Sequence, residues 1–400
     1  MVAFDMFAGV GWGVGARELG VEEEGIEIMP ESVATRDAFG LKTVHDDVWT
    51  YDYKLGAHEG HKASPPCQTF SLAGKGSGRK ALDDVLSIIR SGAWRDKDRL
   101  REAGKILGDD RSSLVLMPLH AAYAEMPEWL AWEQVPTVQP VWDACSFVLQ
   151  EMGYSVWTGR MQAEQYGVPQ TRKRSILIAS RVRGVTMPKP THSKYYPRSP
   201  KKLDEGVEKW MSMAEALGWD GEWALRSNYG TGGDPALRGE RLLEEPAATV
   251  TSKIDRAKWQ FAGAGRTAVD PAGQVRRDLD EPAHTITGKG TAAWCYERPA
   301  TVVQGDPRLA APGHRCMTKD CHPGREPESM FNSAVRVQVH EAGLLQSFPA
   351  DMPWQGSKSK QYLQVGNAVP PGLAIPVLGE AAGLDWQEAN ETYRGKVFGK

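Results

Sequence analysis

Short apolar runs alternate with helix-like stretches near the start of the chain, and that alternation limits the possible folds more than any other feature. VAFDMFA, GIEIM and TVHDDVW read as strands, while WGVGARELG and the stretch from Glu31 to Phe39 between them read as helices. Strands separated by helical crossovers pair in parallel. Further on, WLAWEQV reads as a strand, VWDACSFVLQEMG as a helix closed by Gly153, and RSILIAS as another strand. The expected class is α/β, built on a mostly parallel, doubly wound sheet. With 400 residues the chain is longer than one core usually serves, so a second domain or a large insertion is expected.

Composition changes after Arg181. The stretch 185–330 is rich in Gly, Pro, Arg and Trp and has little helical periodicity beyond KKLDEGVEKWMSMAEALG. Three related segments, EEPAATVT, DEPAHTIT and ERPATVVQ, each end in a β-branched run and read as turn-plus-strand units. Regular signals return with AVRVQVHEAGLLQSF and QVGNAVPPGLAIPVLGEAAG. The expected organisation is thus 1–184 as the first part of the main domain, 185–330 as an insertion, 331–385 as the return to that domain, and 386–400 as a polar tail that frays. No apolar run is long enough to span a bilayer and the start lacks a basic signal, so the expected location is cytoplasmic, without membrane contact. Five widely spread cysteines fit reduced thiols better than a disulfide framework.

Charge is unevenly distributed under a formal net value of −3. Ten Lys or Arg lie between Glu164 and Asp204 with no acid among them, next to Tyr195 and Tyr196. Such a run is either a solvated face or a strip for a polyanion.

Three motifs carry chemistry. In DMFAGVGWGVG, a strand runs into Gly9, Gly11 and Gly13 and then a helix, a pattern that lets a ligand approach the main chain. Glu27 and Asp47 follow the next two strand-like runs. Two acids there, without a nearby cation for a phosphate, fit S-adenosylmethionine better than a dinucleotide. In ASPPCQTFSLAGKGSGRK, Pro65 and Pro66 stiffen the segment that presents Cys67. The polar neighbours Gln68, Thr69 and Ser71 argue against an inert buried thiol, and no second Cys or His lies at ligand spacing. In GHRCMTKDCH, His314, Cys316, Cys321 and His322 could hold zinc, but the spacing is not that of a standard finger and a loop held by ordinary contacts is favoured. No metal is therefore expected.

Taken in order, these motifs resemble the C5 cytosine methyltransferases that act on DNA. DMFAGVG is similar to that family's cofactor loop, with Trp12 where glycine is usual, and SPPCQTFSLAG to its nucleophile motif. DDRSSL, EQV, YGVPQTRKR, HEAGLLQSFP and QVGNAVPP resemble further blocks in the family's order. Gln134 stands where the family braces its catalytic loop with asparagine, and His340 where it usually has arginine. The resemblance implies a Rossmann-like class I methyltransferase domain with an inserted, loop- and strand-rich target-recognition domain. It implies S-adenosylmethionine as cofactor, S-adenosylhomocysteine as product, and a cytosine flipped out of duplex DNA as substrate.

By the same resemblance Cys67 is the nucleophile, Glu133 holds the pyrimidine edge and can protonate N3, and Arg174 with Arg172 holds O2. The cofactor positions implied are Phe7, Gly9, Gly11, Glu27, Ile28, Asp47, Val48, Pro66, Leu114, Asn367 and Ala368. Gln68, Ser71, Lys75, Arg79, Lys194, Lys201 and Lys202 are the expected DNA contacts, with the stretch from Ala73 to Asp110 as a closing loop. A monomer is expected, with a cognate restriction endonuclease as a possible functional partner. Two alternatives stay open: a relative acting on transfer RNA, against which the long insertion argues, and a non-catalytic DNA-binding member, against which the presence of Cys67 and Glu133 argues.

Overall fold

A computed structural model describes residues 1–66, 77–106, 110–194, 203–218, 223–226, 240–242, 245–250, 260–263 and 335–399. The first half alternates as expected: β1 (Val2–Met6), α1 (Gly11–Glu18), β2 (Glu22–Ile26), α2 (Pro30–Phe39), β3 (Lys42–His45) and β4 (Gly60–Ala63). Then come α3 (Ser77–Ser91), α4 (Lys97–Ile106), α5 (Met117–Glu125), β5 (Trp129–Gln134), α6 (Gln139–Glu151), β6 (Ser155–Gln162) and β7 (Lys173–Ser180). The strands form a seven-stranded sheet in the order β3-β2-β1-β4-β5-β7-β6. Its first five strands are parallel, and β7 runs antiparallel to both β5 and β6. This is the Rossmann-like α/β fold with the order reversing beside β1, where ligands of such sheets bind.

Local chemistry accounts for the element boundaries. Pro30 and Glu31 suit the first turn of α2, and Gly40 at φ 76° closes it by donating to the Asp37 carbonyl, 2.9 Å. Along α3 and α4, Val85, Ile88, Ile89 and Leu100 are buried at helical spacing, and Trp94 between the two helices joins the same core. Most of 77–106 is therefore helix, with α3 and α4 packed on the core from residue 82 onward, where a loop from Ala73 to Asp110 was expected; segments 67–76 and 107–109 lie outside the described residues.

The insertion contributes α7 (Met213–Leu217), β8 (Trp223–Arg226), β9 (Glu240–Leu242) and β10 (Gln260–Gly263). These strands join β11 (Val335–Arg336) in an antiparallel sheet of order β11-β10-β8-β9. Only five residues of KKLDEGVEKWMSMAEALG are helical, because the capping box between Ser212 and Glu215 starts the helix late and Gly218 ends it. The first turn-plus-strand repeat makes a single bridge, Ala247 to Gln170, in place of a strand. The other two repeats lie outside the described residues.

The chain closes with α8 (Val339–Leu345), α9 (Lys358–Asn367), α10 (Pro371–Ala382) and α11 (Gln387–Phe398). The segment from Trp386, expected to fray, is instead a docked helix. Buried Tyr393 donates to the Ser347 carbonyl at 2.6 Å, Asn390 to the Tyr166 carbonyl at 3.3 Å, and Lys396 pairs with Glu18 at 2.7 Å. Among the described residues no helix is long and apolar enough to cross a membrane.

Strand β4 is fully buried yet reads Gly-His-Lys-Ala. Its alternating faces meet two separate polar clusters. On one face His61 Nε2 and His58 Nδ1 each lie 2.8 Å from Glu125 Oε2, with Phe4 stacked on His58. On the other, Lys62 pairs with Asp5 at 3.0 Å and with Glu23. Burial alone would raise the Glu125 carboxyl, but the hydrogen bonds and charges of His58 and His61 outweigh it and hold the group at about 2.

A carboxyl lowered in this way stabilises the fold above its ordinary value of 4.5, and that contribution is lost as pH falls through about 2. Glu125→Gln is expected to lower stability at neutral pH by ~3 kcal/mol and to flatten the acid limb of the stability curve. Urea denaturation at a series of pH values checks both, and an unchanged acid limb would contradict the assignment.

Candidate active site

Parallel pairing puts the carboxyl ends of β3, β2, β1, β4 and β5 on one edge of the sheet, and antiparallel β7 brings its amino end there as well. Every part of the candidate site that the described residues show is built on this edge or on loops packed against it.

At the end of β1 the chain turns through two left-handed positions, Phe7 at φ 59° and Gly9 at φ 48°. For a phenylalanine that conformation costs ~1–3 kcal/mol, a strain of the kind found at binding loops. A side chain at Gly9 would project into open space, so the loop leaves room beside its main chain. Glu27 organises this loop: one carboxylate oxygen accepts from the Gly9 N–H at 2.9 Å and the other from the Met29 N–H at 2.8 Å. Beside it, Ile28 is 73% exposed, an apolar side chain left facing outward next to the glycine loop. Asp47 caps the Trp49 N–H at 2.9 Å, and Val48 is buried beneath. Half-buried Phe7 and Leu114 pack against the same core cluster.

Gly11 explains how the last motif reaches this edge. A Cβ there would lie 2.0 Å from the Val369 carbonyl oxygen, so only glycine allows the close approach of α1 to the turn after α9. Ala368 is buried in that turn, and Asn367 is exposed at the end of α9. These observations fit an adenosine-type ligand without phosphates: a main-chain loop with space, a carboxylate at the end of β2 and an exposed apolar side chain, with the nearby Arg36 fully buried against protein partners.

The segment leading to the thiol is held by side chains from either flank. Buried Trp12 donates its indole N–H to Ser64 Oγ at 2.8 Å, and Gln134 donates its amide to the Pro65 carbonyl while accepting from the Val135 N–H. Gln134 thus braces this loop although it departs from the asparagine expected there. His340 is exposed on α8, so that departure falls on the surface. Pro66 is half-buried. Cys67, Gln68, Ser71, Lys75, Lys201 and Lys202 lie outside the described residues, as do His314, Cys316, Cys321 and His322. Arg79 falls in α3.

Next to Gln134, buried Glu133 accepts from Arg174 Nε at 2.7 Å. The pairing of Gln134 with Ser175 across β5 and β7 sets this contact. Arg172 behaves differently from the expected partner of Arg174. It is buried, and its guanidinium donates to the main-chain carbonyls of Val250 at 2.9 Å, Ala368 at 3.0 Å and Gly366 at 3.3 Å. Arg172 therefore ties the start of β7 to the turn after α9 and to the first repeat, a bracing role.

The described part of the basic run does not form one face either. Arg174 and Arg181 lie at opposite ends of β7, Arg181 donates to the Pro127 carbonyl at 3.1 Å, and Arg183 donates to the Glu380 carbonyl. Lys194 is exposed at the entrance to the insertion, where its N–H donates to Asp204 at 3.2 Å.

In the sequence Trp12 stood out only as a departure and Gln170 only as part of YGVPQTRKR, neither with a role, and Arg36 was missed. Gln170 donates to the Leu345 carbonyl at 3.1 Å and accepts from the Val250 N–H at 2.9 Å, which locks the insertion to α8. A tryptophan at a small-residue position was the one signal available. Among the described residues, His58, His61 and Glu125 are grouped closely enough to hold a metal, but their mutual hydrogen bonds account for the cluster and it lies toward the other end of β4.

A family model, C-5 cytosine-specific DNA methylase, matches residues 107–381. The chain is 24% identical over 396 residues to the Type II methyltransferase M1.HphI of Haemophilus parahaemolyticus, covering 92% of this chain and 83% of that protein. It is 26% identical over 330 residues to the Type II methyltransferase M.Bpa9945I of Bacillus paralicheniformis, covering 77% of this chain and 66% of that protein. The solved structure of the Entamoeba histolytica methyltransferase EhMeth matches with a TM-score of 0.51 at 13% identity, covering 96% of this chain and 98% of that one.

Arg172→Met is expected to lower stability by ~3 kcal/mol or more, because buried carbonyls lose their donors. Thermal denaturation checks this, and a melting temperature equal to the parent's would contradict the bracing role.

Proposed function

As the chain belongs to the C-5 cytosine-specific DNA methylases, we propose that it methylates C5 of a specific cytosine, turned out of duplex DNA, through a transient bond between Cys67 and C6. The observation that carries this reading is the Glu133–Arg174 pair, 2.7 Å apart across β5 and β7, with Glu133 followed on β5 by Gln134, which braces the segment entering Cys67. A carboxyl group, a guanidinium and a thiol are thereby served by one sheet edge, the set that addition to a pyrimidine requires.

C5 of cytosine is a poor nucleophile until C6 is attacked. The Cys67 thiolate adds to C6, the C5–C6 π bond breaks, and its electrons pass into the ring toward N3, where Glu133 supplies a proton and orients the amine edge. Arg174 keeps Glu133 in place and balances negative charge on O2. When bound, S-adenosylmethionine supplies the electrophilic methyl group that C5 accepts. As C5 takes the methyl group the N3 proton returns to Glu133; loss of the C5 proton to solvent water then supplies the electrons that restore the C5–C6 double bond as the Cys67 thiolate leaves C6. C6 is inaccessible in stacked duplex, so the base must leave the helix.

Phe7, Gly9, Gly11, Glu27, Ile28, Asp47, Val48, Pro66, Leu114, Asn367 and Ala368 hold the cofactor in this reading. Glu27 takes the ribose and Asp47 the adenine amine, each with lone pairs left beyond its main-chain contacts. The insertion reads the target sequence, and Lys194, Lys201 and Lys202 contact phosphate. Because both curated relatives are named Type II methyltransferases, the protein is proposed as the modification member of a restriction–modification pair. The transfer-RNA alternative is less well supported, since the long insertion, which supplies three of the four strands of the second sheet, argues for duplex DNA.

Cys67→Ala is expected to reduce methyl transfer to DNA to below about a thousandth of the parent rate while leaving DNA binding in place. Transfer of tritiated methyl groups checks the first and a gel-shift assay the second; sustained turnover would rule out the covalent route. Replacing Lys194, Lys201 and Lys202 together with alanine should lower the slope of log affinity against log salt by about 2–3, and an unchanged slope would remove them from the interface.

A further inference from the structure

Arg36, on α2, is fully buried and every hydrogen bond it makes reaches toward the glycine loop or the strands beneath it. Nη1 donates to the Gly9 carbonyl at 2.9 Å, Nε to Thr43 Oγ1 at 3.0 Å, and Nη2 to Glu23 and to the Lys42 carbonyl, both at 2.8 Å. The slot exists because Gly25 lacks a side chain: a Cβ there would sit 2.2 Å from Nη2. Glu23 passes the contact on to Lys62, and Lys62 to Asp5 at 3.0 Å, so two cations and two carboxylates join β1, β2 and β4 beneath the loop.

Gly9 is consequently held through both of its peptide groups, its N–H in the Ala8–Gly9 peptide by Glu27 and its carbonyl in the Gly9–Val10 peptide by Arg36. That grip acts where the backbone is least able to hold itself, between the left-handed Phe7 and the turn into α1. A buried ion pair needed only for the sheet could end at Glu23. Here the guanidinium extends past it to the carbonyl of Gly9, the residue whose N–H, with that of Met29, fixes the Glu27 carboxylate.

We propose that Arg36 is a positioning residue for the nucleoside half of S-adenosylmethionine, holding Gly9 and, through its main chain, Glu27 in the geometry that binds the ribose, without touching the cofactor. The inference rests on the cofactor reading given above. A purely structural arginine would, when altered, damage stability, DNA binding and turnover together. A positioning arginine shifts cofactor affinity selectively.

The test uses the full-length protein, with calorimetric binding of S-adenosylmethionine and of S-adenosylhomocysteine and steady-state kinetics on target DNA. Arg36→Lys keeps the charge facing Glu23 but cannot span Gly9, Thr43 and Lys42 at once. It is expected to weaken cofactor binding and raise the cofactor KM about tenfold, the loss of one charge-assisted hydrogen bond. kcat at saturating cofactor and the KM for DNA should stay within about twofold. Thr43→Val leaves every charge in place and frees only Nε, and should shift cofactor affinity about threefold in the same direction. Unchanged affinity in a folded Arg36→Lys, or equal losses in kcat, DNA KM and cofactor KM, overturns the proposal. If Arg36→Lys does not fold, Thr43→Val decides, and unchanged affinity there overturns it. Wild-type protein that binds no S-adenosylmethionine would instead overturn the cofactor reading, and this inference with it.

Discussion

Parallel pairing of β2, β1, β4 and β5 is the constraint on which the site depends. Because these strands share one direction, the loops that follow them must emerge at one edge, and four separate sequence motifs become neighbours without any loop having to be long. Antiparallel β7 adds Arg174 to that edge by entering where its partner β5 leaves. A one-residue slip in the β5–β7 register would turn Arg174 to the opposite face and break its contact with Glu133. The geometry of the pair is thus a property of the sheet as much as of the two side chains.

Strand β4 shows how much buried charge this arrangement carries. It delivers the segment leading to Cys67, yet its two central residues are His61 and Lys62 in a strand buried along its length. Removing Lys62 from water is costly unless its partners are fixed, and Asp5 on the adjacent β1 and Glu23 on β2 beyond it supply that fixation. Burial pushes the Asp5 carboxyl up to about 7, against the pull of Lys62, while Lys62 and Arg36 hold Glu23 below its ordinary value despite its burial. The same polar cluster reaches the glycine loop through Arg36 and the nucleophile segment through β4. The two halves of the proposed chemistry therefore rest on one buried network.

Much of this architecture was legible in the sequence, and the exceptions have physical causes. Strands with apolar runs, such as those ending at Met6, Ile26 and Ser180, were readable by composition. β4 was not, since Gly-His-Lys-Ala carries no apolar pattern and its stability comes from partners distant in sequence. The helices at 77–106 were hidden by their many charged residues, although Val85, Ile88 and Ile89 keep helical spacing. Residue type alone could not separate Arg172 from Arg174: two positions apart, Arg172 just before β7 turns into main-chain carbonyls and Arg174 on the strand turns toward Glu133. Gln134 was noticed as a departure, and the structure shows its longer side chain still reaching the Pro65 carbonyl.

The central claim is that the loop braced by Trp12 and Gln134 presents a sulfur atom that bonds to a cytosine ring. Intact-protein mass spectrometry after incubation with S-adenosylmethionine and duplex DNA carrying 5-fluorocytosine throughout one strand tests it most directly, because fluorine at C5 blocks the step that releases the thiol. The account predicts a denaturant-stable protein–DNA species whose linkage maps to Cys67. Unmodified polypeptide only, from protein that transfers methyl groups to ordinary DNA under the same conditions, would contradict it.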